Sequence, residues 1–216
     1  MSKTVAVLGV GKFGRNIAKT LYQEGQEVLA VDKDKNAINE IADFVTHAYI
    51  GDTTDERVLN EIGIRDFDYV VISLSSNIRD SAITTVLCKE LGAKYIIAKA
   101  VDNIHAKLLE KTGADMVVQP EKEAGIRLAK TLVADNIIDF LELSDEYSIH
   151  ETRISSSWVG KTLIQLNVRQ KYDVSVVGIR RNSQMMVNID PNEPLLQDDI
   201  LIMIGSNKGL DTIHNL

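Results

Sequence analysis

Three glycines near the amino terminus, Gly9, Gly11 and Gly14, have the G-x-G-x-x-G spacing that can bind the phosphates of a nucleotide. A short apolar run precedes them and apolar residues at helical spacing follow, so the pattern falls on a strand-to-helix turn. Such a turn aims backbone N–H groups and the positive end of a helix dipole at a phosphate, and glycine lets the ligand approach closely. The spacing therefore predicts a nucleotide-binding turn, with incidental glycines in an ordinary turn as the alternative.

An acidic residue, Asp32, ends the second predicted strand at the distance from the glycines that a ribose-binding carboxylate requires. It could accept hydrogen bonds from both ribose hydroxyls and would repel a 2′-phosphate, which disfavours NADP. Asp52 and Thr53 follow the third strand and are placed to flank an adenine or ribose, although Thr53 with Glu56 equally fits a helix capping box. Polar residues after the fourth strand are expected to face the far half of the crevice: Ser73, Ser75, Ser76 and Asn77. These residues indicate NAD(H) or an adenine nucleotide and do not decide between them.

The elements that must position these residues alternate between short apolar runs and helical patterns up to about residue 120. The runs are nearly continuously apolar, as in parallel strands covered on both faces, and lie at 5–8, 28–31, 48–50, 69–74, 95–98 and 116–118. This alternation predicts an α/β fold with a Rossmann-like, doubly wound parallel sheet over residues 1–120.

Beyond residue 120 the sequence predicts a connector and then a second, smaller domain. Pro120 is expected to begin a helix that runs to about Val133, with a second helix at 136–141, so that residues 121–143 form a helical crossover or connector. Strands are predicted at 148–154, 174–180, 185–187 and 200–204, with a hairpin at 182–183 and helices at 162–166 and 207–216. Residues 144–216 are therefore predicted to form a small α+β domain.

Composition excludes several classes of function. The formal net charge is −7, so the basic footprint that nucleic-acid binding needs is missing. No apolar run is long enough to span a bilayer, and the amino terminus lacks a signal-peptide core, so a cytoplasmic protein is expected. Cys88 is the single cysteine, which excludes an internal disulfide and predicts a buried core residue in place of a reactive one.

The sequence offers no recognisable catalytic apparatus. A dehydrogenase needs a general acid or base beside the nicotinamide, yet His47, His105, His150 and His214 show no metal-ligand spacing or catalytic motif. There is also no Walker motif. A nucleotide site without such machinery predicts a sensor, not an enzyme, in which the ligand sets the conformation. An NAD(H)-dependent oxidoreductase and a sensor of NADH are the alternatives.

Several stretches of the chain together resemble the regulator-of-potassium-conductance family, which pairs a TrkA-N with a TrkA-C domain. The resemblance covers essentially the whole chain and is closest to the cytosolic gating subunits of bacterial Ktr potassium-uptake systems. It rests on the glycine turn, Asp32, Gly51-Asp52-Thr53, Gln119-Pro120-Glu121-Lys122, residues 143–148 and Asn167-Val168-Arg169.

The resemblance implies a homo-octameric ring, built from dimers of the C-terminal domain, on the membrane potassium-translocating subunit KtrB. The chain would then lie at the inner face of the cell membrane, and the segment after Pro120 would cross to a neighbouring subunit. ATP and ADP would compete for the nucleotide site, with ATP favouring ion flux, and NAD(H) binds in the wider family. In some members the C-terminal domain binds cyclic di-AMP, which inhibits uptake.

The resemblance also implies roles for individual residues. Lys12 occupies the position where such proteins commonly have an arginine that reaches a γ-phosphate. The lysine ammonium offers a point charge but lacks the planar, forked hydrogen-bond donors of a guanidinium. Glu121 matches an acid that helps to hold a cation, Mg²⁺, Ca²⁺ or Na⁺, beside the phosphates, although a helix dipole alone also favours an acid there. The predicted nucleotide site further includes Phe13, Lys33 and Lys99. The residues expected to hold a cyclic dinucleotide, with an ordinary dimer core as the alternative, are Leu163, Ile164, Asn167 and Arg169.

Overall fold

The computed structural model describes residues 2–74, 77–133 and 137–214. The chain divides into two compact units, the first ending at Lys122 and the second beginning at Glu123. In the described ranges, no helix combines the length and the apolar character that crossing a membrane requires.

The first unit is built on a six-stranded sheet, in which all neighbours are parallel and the order is β3-β2-β1-β4-β5-β6. The strands are β1 (Thr4–Leu8), β2 (Glu27–Asp32), β3 (His47–Ile50), β4 (Tyr69–Ile72), β5 (Ile96–Lys99) and β6 (Met116–Val118). The chain moves outward from β1 to β3 and then returns to β4 on the other side of β1. This reversal opens a crevice at the carboxyl ends of β1 and β4, and the order confirms the predicted doubly wound sheet.

Helices cover both faces of this sheet, and they are α1 (Lys12–Gln23), α2 (Lys35–Ile41), α3 (Glu56–Glu61), α4 (Ile78–Glu90) and α5 (Asn103–Thr112). Helix α6 (Pro120–Val133) follows β6 and crosses the boundary between the two units at Lys122 and Glu123. Alternate residues of β1 enter different core clusters, since Val5 and Val7 pack with α1 and α2 while Ala6 and Leu8 pack with α3 to α5. Cys88 is fully buried in the second of these clusters, as predicted, and burial raises the pKa of its thiol to about 12.

The predicted capping box at Thr53 is wrong. Helix α3 is capped by Asp55, whose carboxylate accepts a hydrogen bond of 2.9 Å from the Arg57 N–H. Thr53 is buried instead, with its hydroxyl 3.2 Å from that of Thr84 on α4. Aspartate caps a helix as well as threonine does, so the chain starts the helix two residues later than the pattern suggested.

The second unit contains most of α6, a five-stranded antiparallel sheet in the order β10-β9-β11-β8-β7, and further short helices. Its strands are β7 (Ile137–Glu142), β8 (Tyr147–Arg153), β9 (Val174–Arg181), β10 (Gln184–Met186) and β11 (Ile200–Ser206). Its helices are α7 (Leu163–Leu166), α8 (Val168–Tyr172) and α9 (Asn207–His214). The smaller α+β domain and its four predicted strands are confirmed, whereas α8 was not predicted.

The helix predicted at 136–141 is wrong over the described part of that range, because residues 137–142 form strand β7. Asn136 lies outside the described residues. Ile137, Ile138 and Phe140 are β-branched or aromatic, and these types pack well on a pleated sheet. The strand pairs with β8, where Leu141 lies opposite Ile149. This partner lies after a turn, so a local helical pattern could not reveal it.

A buried ion pair fixes the loop between β10 and β11 in the second unit. Asp199 is fully buried, and its two carboxylate oxygens accept hydrogen bonds of 2.7 and 2.8 Å from the Arg181 guanidinium. The Leu196 N–H donates a third bond of 2.8 Å, and Arg181 also binds Glu193. Burial by itself raises the pKa of Asp199, but the bonds from Arg181 and Leu196 outweigh it and hold the pKa below its ordinary value.

Arg181→Met should lower the free energy of unfolding of the second unit by about 3–5 kcal/mol, because it leaves the buried Asp199 carboxylate without a counter-ion. Urea denaturation followed by Trp158 fluorescence measures this unit, since the single tryptophan lies in its core. Arg180→Met is the matched control: its partly exposed pair with Glu151 should contribute about 1 kcal/mol or less. The lowered pKa of Asp199 stabilises the fold above about pH 4, and this stabilisation is lost as the pH falls through the folded value. Equal losses for the two variants would refute the special role of Arg181.

Candidate functional site

The glycine turn between β1 and α1 is closed by two of its three glycines. Gly9 has a φ of +95°, and a Cβ there would lie 2.9 Å from the Leu74 side chain. A Cβ on Gly14 would lie 2.1 Å from the Gly9 carbonyl oxygen. Among the described residues, and apart from its own chain neighbours, Gly11 has no atom within 4 Å of the position that its Cβ would take. The first and third glycines therefore allow the turn to close against β4, and the second keeps open the space in front of α1.

The amino terminus of α1 faces this open space without a side-chain cap. Gly11 is its N-cap residue, Lys12 is its first residue, and no acid lies in the first turn. The unpaired N–H groups and the helix dipole together give this end a partial positive charge. The arrangement is suited to a phosphate or another anion.

Asp32 connects the glycine turn to the end of β2. Its Oδ2 accepts a hydrogen bond of 2.7 Å from the Val10 N–H, and its Oδ1 accepts one of 2.9 Å from the Asp34 N–H. A carboxylate offers about four lone-pair positions, so both oxygens can still accept hydrogen bonds from ribose hydroxyls. The structural bond to Val10 was not predicted, because the sequence showed only the ribose role.

The crevice contains two adjoining depressions, both lined in part by Gly11 and Asp32. The first is a cavity of about 210 Å³ that brings together eight of the predicted residues: Gly9, Gly11, Asp32, Lys33, Asp52, Thr53, Ser73 and Asn77. The second is lined by Lys12, Arg15 and Asn16, among others. Ser75 and Ser76, which were also predicted for this region, lie outside the described residues.

The lining of the first depression includes three acidic residues. Asp52 and Asp80 line it together with Asp32, and the Lys33 ammonium lies 3.7 Å from Asp80. The Thr54 N–H and hydroxyl donate bonds of 2.9 and 2.7 Å to Asp52, and the backbone bond is the larger cause holding the pKa of Asp52 below its usual range. Carboxylates suit the hydroxyl and amino groups of a nucleoside, while the helix end suits its phosphates.

Two of the predicted polar residues also support the fold beneath the crevice. Ser73 is buried and would be the neighbour of any side chain placed at Gly9 or Gly14. Asn77 caps α4 by accepting a hydrogen bond of 3.0 Å from the Arg79 N–H. The sequence placed these residues at the crevice without showing that they also build it.

Three further predicted residues form a cluster at the end of β5. Lys99 is buried, and its ammonium lies 2.5 Å from a Glu121 carboxylate oxygen and 5.5 Å from the centre of the Phe13 ring. The hydrogen bond from Lys99 is the largest cause holding the pKa of Glu121 below its usual range. The sequence assigned Lys99 to the nucleotide and Glu121 to a cation, and did not predict that they would pair. No cluster of three His, Cys, Asp or Glu side chains suited to a metal occurs in the described ranges, so the cation role of Glu121 stays a prediction.

The second unit has a cavity of about 290 Å³ beside helices α7 and α8. It is lined by three of the four residues predicted for a cyclic dinucleotide, Leu163, Asn167 and Arg169. The fourth, Ile164, is more than half exposed and does not line this cavity. Asn167 joins the two helices in a left-handed conformation with a φ of 48°.

No histidine occurs among the described residues that line the crevice. His105 is buried in the first unit, with Nε2 2.7 Å from the Ser81 hydroxyl oxygen and Nδ1 accepting a bond from the Val101 N–H. Burial lowers its pKa, which favours the neutral ring. His150 and His214 contact each other in the second unit, 2.8 Å apart. Three of the four histidines therefore have structural partners away from the crevice.

Comparisons with known proteins agree with this architecture. Residues 5–120 match the TrkA-N domain, and residues 149–216 match the TrkA-C domain. The chain is 44% identical over 206 residues to the Ktr system potassium uptake protein C of Bacillus subtilis, covering 95% of this chain and 93% of that protein. It is 38% identical to the Ktr system potassium uptake protein A of the same organism, over 99% of this chain and 96% of that one. The crystal structure of the GsuK RCK domain matches the fold with a TM-score of 0.69 at 18% identity, over 100% of this chain and 48% of the solved chain.

Gly14→Ala should destabilise the first unit by about 1–3 kcal/mol or more, because its Cβ would collide with the Gly9 carbonyl oxygen. Gly11→Ala is the matched control, since its Cβ meets open space and its φ of −68° suits alanine. It should change stability by less than about 1 kcal/mol. Urea denaturation followed by circular dichroism, without ligand, compares the two. Similar stability of the two variants would contradict the division of roles among the glycines.

Proposed function

Because the chain belongs to the family of Ktr system potassium uptake proteins and carries both a TrkA-N and a TrkA-C domain, we propose that it is a nucleotide-controlled regulatory subunit of a potassium transport system. The nucleotide is ATP or ADP, and it binds in the crevice of the first unit. Its identity sets the conformation of the subunit and thereby the flux through a membrane partner. The role is regulatory, not catalytic.

One observation supports the nucleotide most directly: the open space at Gly11 lies between an uncapped helix end and three aspartates. Phosphates at the helix end and a nucleoside against Asp32, Asp52 and Asp80 would use both kinds of surface at once. NAD(H) is the second ligand class for the same crevice, since its adenosine diphosphate half has the same chemistry. An oxidoreductase is less well supported, because the described crevice residues include no histidine to transfer a proton.

The partners in this proposal are further copies of the chain and the membrane subunit KtrB. The chain forms a homo-octameric ring from dimers of the second unit and lies at the inner face of the cell membrane. Leu128 and Leu132, one turn apart on α6, are 61% and 75% exposed, which supports a contact with another surface. The cavity at Leu163, Asn167 and Arg169 supports cyclic di-AMP as a second regulator, with Arg169 placed to pair with a phosphate.

The energy that such a switch needs is small for each site. Moving a two-state equilibrium from 1:99 to 99:1 takes about 5.5 kcal/mol of differential binding. Shared over the sites of an octamer this is roughly 0.7 kcal/mol each, less than the about 1.5–3 kcal/mol of one charge-assisted hydrogen bond. We therefore assign the difference between ATP and ADP to Lys12 and to a cation, Mg²⁺, Ca²⁺ or Na⁺, held by Glu121.

ATP and ADP should raise the melting temperature of the chain, and Gly11→Ala should remove this rise while changing the ligand-free melting temperature by less than about 4 °C. A Cβ at Gly11 fills the space that a phosphate would enter, yet leaves the fold intact. Thermal-shift measurements would compare ATP, ADP, NAD⁺, NADH and cyclic di-AMP, each with and without Mg²⁺. A shift produced by NADH alone would overturn the adenine-nucleotide proposal in favour of an NADH sensor. Cyclic di-AMP should act equally on Gly11→Ala and the parent chain.

Lys12→Ala should narrow the gap between the affinities for ATP and ADP by about 1.5 kcal/mol, the lower range for one charge-assisted contact. Isothermal calorimetry with both nucleotides measures the gap directly. Lys19→Ala is the matched control on the same helix, because the Lys19 ammonium lies over the Phe44 ring and not at the crevice. An unchanged gap in Lys12→Ala would remove this lysine from the mechanism.

A further inference from the structure

We propose that Lys99 exchanges partners when the crevice fills: it holds Glu121 in the empty site, and a phosphate of the nucleotide takes the place of Glu121. The exchange would release the first turn of α6 and leave the Glu121 carboxylate available for the cation of the proposed function. This inference rests on the proposed function, because it requires a phosphate-bearing ligand in the crevice. It adds a way for the ligand to act on the segment that joins the two units.

The burial of the two partners is strongly unequal. The Lys99 side chain is 6% exposed, whereas the Glu121 side chain is 71% exposed. A buried ammonium without a counter-ion is strongly unfavourable, but an exposed carboxylate can return to water at little cost. Lys99 therefore always needs an anion, while Glu121 can be replaced as that anion.

Lys99 lies where a phosphate could replace Glu121. Lys99 is the last residue of β5. Strand β4 lies beside β5, β1 lies beside β4, and the carboxyl ends of β4 and β1 form the crevice. The Lys99 ammonium is 5.5 Å from the centre of the Phe13 ring, and Phe13 is the second residue of α1, two positions after the Gly11 N-cap. A polyphosphate that extends from the glycine turn past Phe13 would approach Lys99 from the crevice side.

Glu121 lies in the segment that would transmit the exchange. It is the second residue of α6, and the first unit ends one residue later, at Lys122. Lys122 makes a separate bond of 2.9 Å to the Asn103 side chain, which would remain after the exchange. Loss of the Lys99 bond would therefore loosen the start of α6 without detaching it.

Thermodynamic linkage makes this exchange testable, because a ligand that displaces Glu121 must bind more tightly once Glu121 no longer competes. The variants are Glu121→Gln, which keeps the shape and removes the charge, and Lys99→Met, which keeps the aliphatic stem. Lys122→Met is the matched control for a changed charge at the start of α6. Calorimetry with ATP, ADP and AMP would be done in the presence of a chelator, so that no divalent metal takes part.

Glu121→Gln should bind ATP at least fivefold more tightly than the parent chain, in the usual range for coupled sites, with AMP unchanged. Lys99→Met should bind ATP more weakly, and adding Glu121→Gln to it should produce no further change. If the affinity gain persists in the double variant, Glu121 merely repels the phosphates and the exchange is refuted. Equal affinities of Glu121→Gln and a nucleotide-binding parent also refute the exchange. A parent that binds none of the three nucleotides in the chelator refutes the exchange, and a parent that also binds none of them with Mg²⁺ refutes the proposed function itself.

Amide hydrogen exchange at residues 124–127 tests the release of α6 independently of affinity. These amides should exchange faster in the parent chain when ATP is added. They should already be fast in ligand-free Glu121→Gln and should not respond further to ATP. Unchanged or slower exchange in the parent would refute the release.

Discussion

The hydrogen bond from the Val10 N–H to the Asp32 carboxylate joins the glycine turn to the end of β2, and the geometry of the crevice depends on it. It fixes the turn that places the helix end of α1 over the carboxyl edge of the sheet. It also orients the carboxylate that faces the ligand, so one side chain positions both the phosphate-binding and the ribose-binding parts of the site. Gly9 and Gly14 are required because any side chain there would push this turn away from β4.

Much of the first unit could be predicted because its signals are local. Parallel strands covered on both faces are continuous apolar runs, and all six were found from this pattern alone. The errors have a common cause, which is competition between a local pattern and a distant partner. The pattern of residues 137–141 predicted a helix, but they form a strand that pairs with β8. The pattern at Thr53 fitted a helix cap, but its hydroxyl contacts that of Thr84.

The sequence predicted which residues form the candidate site better than it predicted the contacts between them. Eight of the predicted residues share one cavity, because parallel strands bring their carboxyl ends to the same edge of the sheet. The pairing of Lys99 with Glu121 joins residues 22 positions apart, and no spacing rule connects a strand end to the start of a later helix. Ser73 and Asn77 contribute to both the crevice and the fold, so loss of binding in their variants has meaning only beside a measurement of stability.

The burial of Cys88 has a practical consequence for spectroscopy. The chain contains no other cysteine, and a thiol with a pKa of about 12 forms almost no reactive thiolate at neutral pH. A cysteine introduced at an exposed position such as Ile104, which is 82% exposed, would therefore be the only site that a maleimide or nitroxide reagent modifies. A fluorescent or spin label can therefore be attached at one chosen position without first replacing Cys88.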